Sequence, residues 1–256
     1  MKRLLFLFIP LLAAGLRAEQ LPPARDVLSF ARMQLPAQPV RLTGTLKERA
    51  PNGFVKKKLA VEMDLEWGAS PSTAAYRIRD EKTGDLQTLK IRWLANGPDF
   101  RYSENGTAVV NFNPNTEIDG LGVTWADLSF SFLWSKEAET VETDKKLGRA
   151  SLVLAIPRAA EHRLLLWIEQ ETGRMLGARE EDENGNVVKE IKVVSVKEFD
   201  GLWMVKDLDI ILPPTKRRIT LRIENVETAP DESVENGAGE RIRTVDNHVG
   251  NVTLYH

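Results

Sequence analysis

The sequence predicts a mainly β protein of the α+β class, built on one strongly curved antiparallel sheet or barrel of about ten or eleven strands. Three observations predict it. Leu59, Val61, Met63, Leu65 and Trp67 alternate with Lys58, Ala60, Glu62, Asp64 and Glu66, the period-two pattern of a strand with one dry and one wet face. Short runs of this kind recur as far as Val226, separated by turns such as Glu104-Asn105-Gly106 and Glu183-Asn184-Gly185. Only two segments carry helical signals. Flat open sheets of this size are uncommon, so the sheet must curve. The absence of a fixed-period repeat argues against a propeller or solenoid.

The elements follow in chain order. Ala24–Leu35 places Val27, Leu28, Ala31 and Leu35 on one helical face, with Pro22 and Pro23 at the start and Pro36 at the end. Its polar face is not strongly basic, which favours packing on a sheet over lying on a membrane. Strands follow at Val40–Leu46, Lys58–Trp67, Tyr76–Arg79, Leu86–Trp93, Phe100–Tyr102 and Val109–Phe112. Pro51-Asn52-Gly53 and Thr83-Gly84-Asp85 supply turns between them.

Residues 113–122 read as a loop. Thr124 then suits a helix N-cap, with Asp127 at the position of a capping partner. This predicts a helix over Trp125–Trp134, although "LSFSFLW" also alternates as a strand would. On a helix, Leu121, Trp125, Leu128 and Phe132 share one face, which must cover something apolar. Strands resume at Ser151–Ile156, Arg163–Glu169, Met175–Glu180, Val187–Lys197, Leu202–Leu212 and Arg218–Val226.

The N-terminus predicts the compartment. Lys2 and Arg3 precede the apolar run Leu4–Leu12, and Leu16 and Ala18 sit at the −3 and −1 positions of a cut before Glu19. Residues 1–18 therefore read as a signal peptide, too short for the roughly 20 residues of a spanning helix. The expected location is the periplasm. The chain has no Cys, which excludes lipidation at a signal-adjacent Cys, disulfides and thiolate chemistry. Its formal net charge is −2, and loss of Lys2, Arg3 and Arg17 with the signal would make it −5. That balance argues against general nucleic-acid binding. About 210 residues between signal and tail fit one β domain, residues 19–228.

The residues give little support for catalysis. The three histidines are His162, His248 and His256, and none sits in a GxSxG, HExxH, P-loop or dinucleotide motif. No enzyme, cofactor or metal is predicted. The acidic run Glu180–Glu183 lacks the ligand spacing of a calcium loop and reads as a solvated hairpin tip. Glu161-His162 reads as a surface feature. Lys56–Lys58 and Lys216–Arg218 read as solvated strand ends, with contact to lipid phosphate or a partner as the alternative. Trp67, Trp93, Trp125, Trp134, Trp167 and Trp203 are spread over the strands and the second helix. They either fill the space inside the sheet or line a cavity there, and periodicity does not separate the two.

The segment from Leu164 to Val226 resembles the C-terminal half of the LolA-like outer-membrane lipoprotein-sorting proteins. The likeness rests on a hairpin at Leu166–Leu176, a second at Glu181–Lys189, a strand pair at Val194–Ile211 and a last strand at Arg218–Val226. "GVTWADLSFSFLW" at Gly122–Trp134 adds to it. It covers about 110 residues well, and the earlier strands only in pattern; alternating strands report fold better than function.

The resemblance implies a curved antiparallel half-open barrel with an N-terminal helix and a helical lid over an apolar inner surface. It further implies a carrier that binds lipid or lipoprotein acyl chains for transfer towards the outer membrane, with membrane-bound donor and acceptor proteins as partners. The expected state is a monomer, and Leu121, Trp125, Leu128 and Phe132 are the candidate cavity or lid lining. The alternative is a non-catalytic structural or interaction protein with a filled core.

Residues 229–256 read as a disordered or adventitious tail. "RIRT", "HVGNV" and "TLYH" can be encoded by the complements of the T arm, a GCC anticodon arm and the D arm of a glycine tRNA, in that order. The tail is therefore expected to be antisense read-through into a tRNA gene, with His248 and His256 accidental.

Overall fold

The computed structural model describes residues 20–50, 52–158, 161–199 and 201–228. The expected signal peptide and tail lie outside the described residues. Two prolines precede helix α1 (Ala24–Arg32), and Pro23 occupies its N-cap. Ala24, Val27, Leu28 and Ala31 are buried along one stripe, as their spacing requires. The helix stops three residues short of Leu35.

Among the described residues thirteen strands form one antiparallel sheet. The first six are β1 (Val40–Arg49), β2 (Val55–Glu66), β3 (Ser72–Asp80), β4 (Leu86–Leu94), β5 (Gly97–Glu104) and β6 (Thr107–Val109). The other seven are β7 (Glu139–Lys146), β8 (Arg149–Pro157), β9 (Arg163–Glu169), β10 (Met175–Glu181), β11 (Val187–Phe199), β12 (Leu202–Leu212) and β13 (Arg217–Thr228). The order across the sheet is β6-β5-β4-β3-β2-β1-β13-β12-β11-β10-β9-β8-β7. Two meanders thus meet where the first strand pairs with the last. The sheet is open, with β6 and β7 as its edges, so a closed barrel is ruled out.

The sheet has more strands than the expected ten or eleven, and the one with no counterpart among the expected runs is β7, "ETVETDKK". It is an exposed, charged edge strand and shows no alternation to read, as edge strands often do not. The predicted strand at Val109–Phe112 is instead β6, which ends at Val109.

Alternation sets the two faces. In β2, Leu59, Val61, Met63 and Leu65 are at most 5% exposed, while Glu62 and Glu66 face water. The inner residues of β1–β5 and β8–β13 enter one continuous core, which requires the sheet to curve around it. At the seam, Val40 pairs with Thr228 and Arg49 with Arg218, with a bulge at Thr43/Gly44. A Cβ on Gly44 would lie 2.1 Å from the Arg222 carbonyl oxygen, so only glycine permits this approach. On β9 every residue from Leu164 to Ile168 is buried. Leu165 and Trp167 join Val153 in a small outer cluster, where Lys146 Nζ lies 4.1 Å from the Trp167 ring centroid.

Residues 110–138 connect the two sheet edges and cross the inner side. This connection carries the lid.

Candidate functional site

The lid begins as its sequence dictates. The Thr124 hydroxyl accepts from the Asp127 backbone N–H at 3.2 Å, and the Asp127 carboxylate accepts from the Thr124 N–H at 3.0 Å. This reciprocal capping box starts helix α2, Trp125–Leu128. The expected single helix to Trp134 does not form. Ser129 caps α2, Phe130 takes a left-handed φ of 49°, and a 3-10 turn covers Ser131–Trp134. Ser131, which follows Phe130, offers the backbone a hydroxyl partner that competes with helix: its Oγ donates to the Ala126 carbonyl at 3.4 Å.

Long-range contacts fasten the lid. Asp127 is fully buried and meets Lys189 Nζ at 2.7 Å and Arg158 Nη2 at 3.1 Å. Lys189 also lies 3.5 Å from Glu180, whose other oxygen is 2.9 Å from His162 Nδ1. Arg32 of α1 donates to the Leu133 carbonyl at 2.5 Å, and burial holds its guanidinium below its ordinary pKa. At the near end, Lys57 pairs with Asp119 at 2.5 Å, and Arg217 bridges Glu48 and the Gly120 carbonyl. At the far end, Trp134 stacks on Trp93 with centroids 4.2 Å apart.

Several polar runs thus have roles that differ from those expected. Lys57 and Arg217 anchor the lid loop and are not simply solvated strand ends. Glu180 and Glu181 lie within β10, and Glu181, 5% exposed, is held by Arg163 and Arg179. Asp182 and Glu183 form the expected solvated tip: Asp182 accepts from the backbones of Asn184 and Asn186, and Glu183 is exposed in the turn.

Under the lid is an apolar cavity of about 220 Å³. Its walls are Ala31 of α1 and Leu35 just beyond it, the inner face of β1–β3 (Leu42, Met63, Tyr76), the lid (Leu128, Phe130, Leu133) and Trp67, Met175, Trp203 and Met204. Gln34, Arg174 and Lys206 are the polar members of the lining. Burial pushes the Tyr76 phenol up, so the wall stays uncharged there. The β11–β12 hairpin flanks the cavity. Its last ladder contacts with neighbours are Gly177↔Lys192 and Asp207↔Arg222, so beyond them, among the described residues, the two strands pair only with each other. Trp203 and Val196 on this ribbon line the cavity yet are 58% and 55% exposed.

The four residues singled out from the sequence are all buried: Leu121 1%, Trp125 0%, Leu128 2% and Phe132 3% exposed. They do not share one helical face. Leu121 precedes α2, Trp125 and Leu128 lie on it, and Phe132 lies on the 3-10 turn. Leu128 lines the cavity; Trp125 packs edge-on against Tyr102 at 5.5 Å, and Phe132 edge-on against Phe130 at 5.7 Å. Sequence reasoning missed Met63, Phe130, Leu133 and Met204 as lining. Only the alternation of β2 and β12 hinted at the strand residues. Among the described residues, no group of three or more His, Asp or Glu could hold a metal ion, and no helix is long and apolar enough to cross a membrane.

Comparison with protein-family models finds no match, and no curated protein matches the chain. Solved structures do. A DUF1329 family protein from Desulfovibrio piger superposes with TM-score 0.64 at 12% identity, over 81% of this chain and 92% of that one. A domain from Vibrio parahaemolyticus ascribed to outer membrane lipoprotein sorting gives 0.64 at 12%, over 81% and 94%. A LolA superfamily protein from Nitrosomonas europaea gives 0.62 at 12%, over 83% and 97%. The fold is LolA-like. The LolA-like hairpins expected at Leu166–Leu176 and Glu181–Lys189 are the β9–β10 and β10–β11 connections, and Arg218–Val226 lies in β13. At this identity the LolA-like likeness concerns fold alone.

Proposed function

We propose that the protein is a periplasmic carrier that binds lipid or lipoprotein acyl chains in the cavity under the lid, for transfer towards the outer membrane. The observation that carries this reading is the apolar cavity between α1, the lid and the inner face of the sheet, with exposed Trp203 and Val196 on its flanking hairpin. The LolA-like fold supports it, because the Vibrio domain of the same fold is ascribed to lipoprotein sorting. The mechanism is binding and handover with no covalent step. Each methylene withdrawn from water contributes about 0.8 kcal/mol, so some ten methylenes supply roughly micromolar affinity before ordering costs.

The cavity of about 220 Å³ is smaller than the roughly 300–1,000 Å³ of ligand pockets in general. A whole acyl chain therefore requires α1 and the lid to separate. The Arg32–Leu133 contact and the Asp127 ion pairs are the polar ties that such a movement would break or stretch. The protein acts as a monomer, with membrane-bound donor and acceptor proteins as its partners.

The smallness of the cavity favours one second reading: a structural or interaction protein whose core is already filled by residues such as Leu121, Trp125 and Phe132. Purified mature protein separates the two. A carrier retains copurifying lipid detectable by mass spectrometry and binds a fluorescent fatty acid saturably. Neither signal would be seen from a filled core.

A further inference from the structure

The outer face of the sheet carries a second concavity, a groove of about 240 Å³ across β1, β13 and β12. Its charged walls are Lys47, Arg49, Arg218 and Arg222 against Asp207 and Asp209. Four cations face two acids, a local excess of +2 on a chain whose formal net charge is −2. Both acids are already committed. Asp209, 4% exposed, accepts from Arg218 at 2.5 Å and Thr220 at 2.7 Å. Asp207, 9% exposed, accepts from Arg222 and Ser195, each at 2.7 Å.

Lys47 and Arg49 are not committed. Among the described residues neither has a carboxylate within 4.0 Å, and the polar partner of Arg49 is the Gly53 carbonyl at 3.2 Å. The strand register adds a second, independent observation. Arg49 stands directly opposite Arg218 across the β1–β13 seam; Lys47 faces Lys58 across β1–β2, but Lys58 is held by Glu81 at 2.8 Å and lies outside the groove. Like charges facing each other across a ladder destabilise a sheet. With Asp209 committed to Arg218 and Thr220, an anion lying between Lys47 and Arg49 would relieve the Arg49–Arg218 opposition.

We propose that this groove binds a phosphate group, carried either on a lipid headgroup at a bilayer surface or free in solution. A local excess of +2 matches a phosphate monoester, whose charge is about −1.5 to −2 at pH 7, better than a single carboxylate. Guanidinium forks such as that of Arg49 suit the oxygens of phosphate. The sheet separates the groove from the cavity, so the site does not rest on the carrier reading.

The test compares the full mature chain with Lys47→Gln/Arg49→Gln, which touches neither cavity nor lid. Thermal unfolding is followed in inorganic phosphate and in chloride at matched ionic strength. Cosedimentation is measured with vesicles of phosphatidic acid and phosphatidylcholine, whose anionic headgroup is a phosphate monoester, and of phosphatidylcholine alone. A phosphate-specific rise in Tm identifies a soluble phosphate site. Cosedimentation with the anionic vesicles identifies a bilayer one, and in that case loss of two cations weakens it roughly thirtyfold. In either case the double variant loses the response while its Tm in chloride is equal or higher, because the Arg49–Arg218 opposition is gone. Absence of both responses overturns the proposal, as does a response that the double variant retains. Equal binding of poly-glutamate would assign the groove to acidic peptides instead and overturn the phosphate assignment.

Discussion

Lys189 Nζ lies 2.7 Å from the carboxylate of Asp127, joining the inner face of β11 to the first turn of α2. The Asp127 side chain is completely buried and that of Lys189 is 11% exposed. The same carboxylate closes the capping box with Thr124. One acidic side chain therefore both starts the lid helix and fixes the lid to the sheet.

Removing that carboxylate should be costly in proportion to what it leaves behind. Asp127→Ala strands Lys189 and Arg158 in a buried setting and removes the cap, so it should cost about 3–5 kcal/mol. Lys189→Met should cost less, because Arg158 still neutralises Asp127 at 3.1 Å. Urea unfolding of both variants checks the order. A cost below about 1 kcal/mol for Asp127→Ala, the level of a surface ion pair, would contradict the anchoring role.

Substitutions at two aromatic residues should separate core from site. Phe132 is 3% exposed and not part of the cavity lining, so Phe132→Ala should cost about 3–5 kcal/mol of stability. Trp203 is 58% exposed and does line the cavity. Trp203→Ala should leave stability within about 0.5 kcal/mol but weaken fatty-acid binding. Paired denaturation and fluorescence titrations read both effects; equal binding by Trp203→Ala and wild type would remove the hairpin from the site.

The seam should be intolerant of even a methyl group. At Gly44 an added Cβ would meet the Arg222 carbonyl, a backbone atom that cannot swing away. Gly44→Ala should cost at least about 1–3 kcal/mol, the usual penalty for overpacking. Gly84→Ala is a control for the turn conformation, since φ is +80° there but nothing crowds the added atom. Comparable midpoints for Gly44→Ala and wild type in urea would show that the seam can spread.

Acid should weaken the fold. The Thr172 hydroxyl and the Arg149 guanidinium hold the Glu169 carboxyl below its ordinary pKa. At Asp64, burial pushes the pKa up but is outweighed by hydrogen bonds from Arg41 and Arg77, and the net shift is downward. Carboxyls depressed on folding stabilise the protein fully above their unfolded values, near about 4, and that stability is lost as pH falls through the lower folded values. The urea midpoint should therefore hold from neutrality to about pH 5 and fall below about pH 4. Glu169→Gln should flatten the fall; a profile identical to wild type would show that this carboxyl contributes nothing.

Much of the fold was legible because burial is one-sided. The alternation of β2 and the turn at Asn105-Gly106, both with positive φ, state strand and hairpin directly. β7 was not legible, because an edge strand exposed on both sides has no dry face to reveal it. The lid was half legible: Thr124 and Asp127 announce the start, but the left-handed Phe130 leaves no mark in the hydrophobic pattern. Lys189 was hidden for a different reason. A lysine on an inner position reads as polar and outward until its partner, 62 residues earlier, is placed beside it. The cavity was hidden because its walls come from elements far apart in the chain, and residues such as Met63 and Met204 look like ordinary core.

The most direct test of the carrier reading is photocrosslinking with a fatty acid bearing a diazirine at its terminal carbon, followed by peptide mass spectrometry. An acyl chain bound under the lid should label the cavity walls, among them Leu35, Met63, Leu128, Phe130 and Met204, and excess unlabelled fatty acid should abolish the labelling. Labelling confined to the outer face, or unaffected by that competition, would contradict a lipid site under the lid.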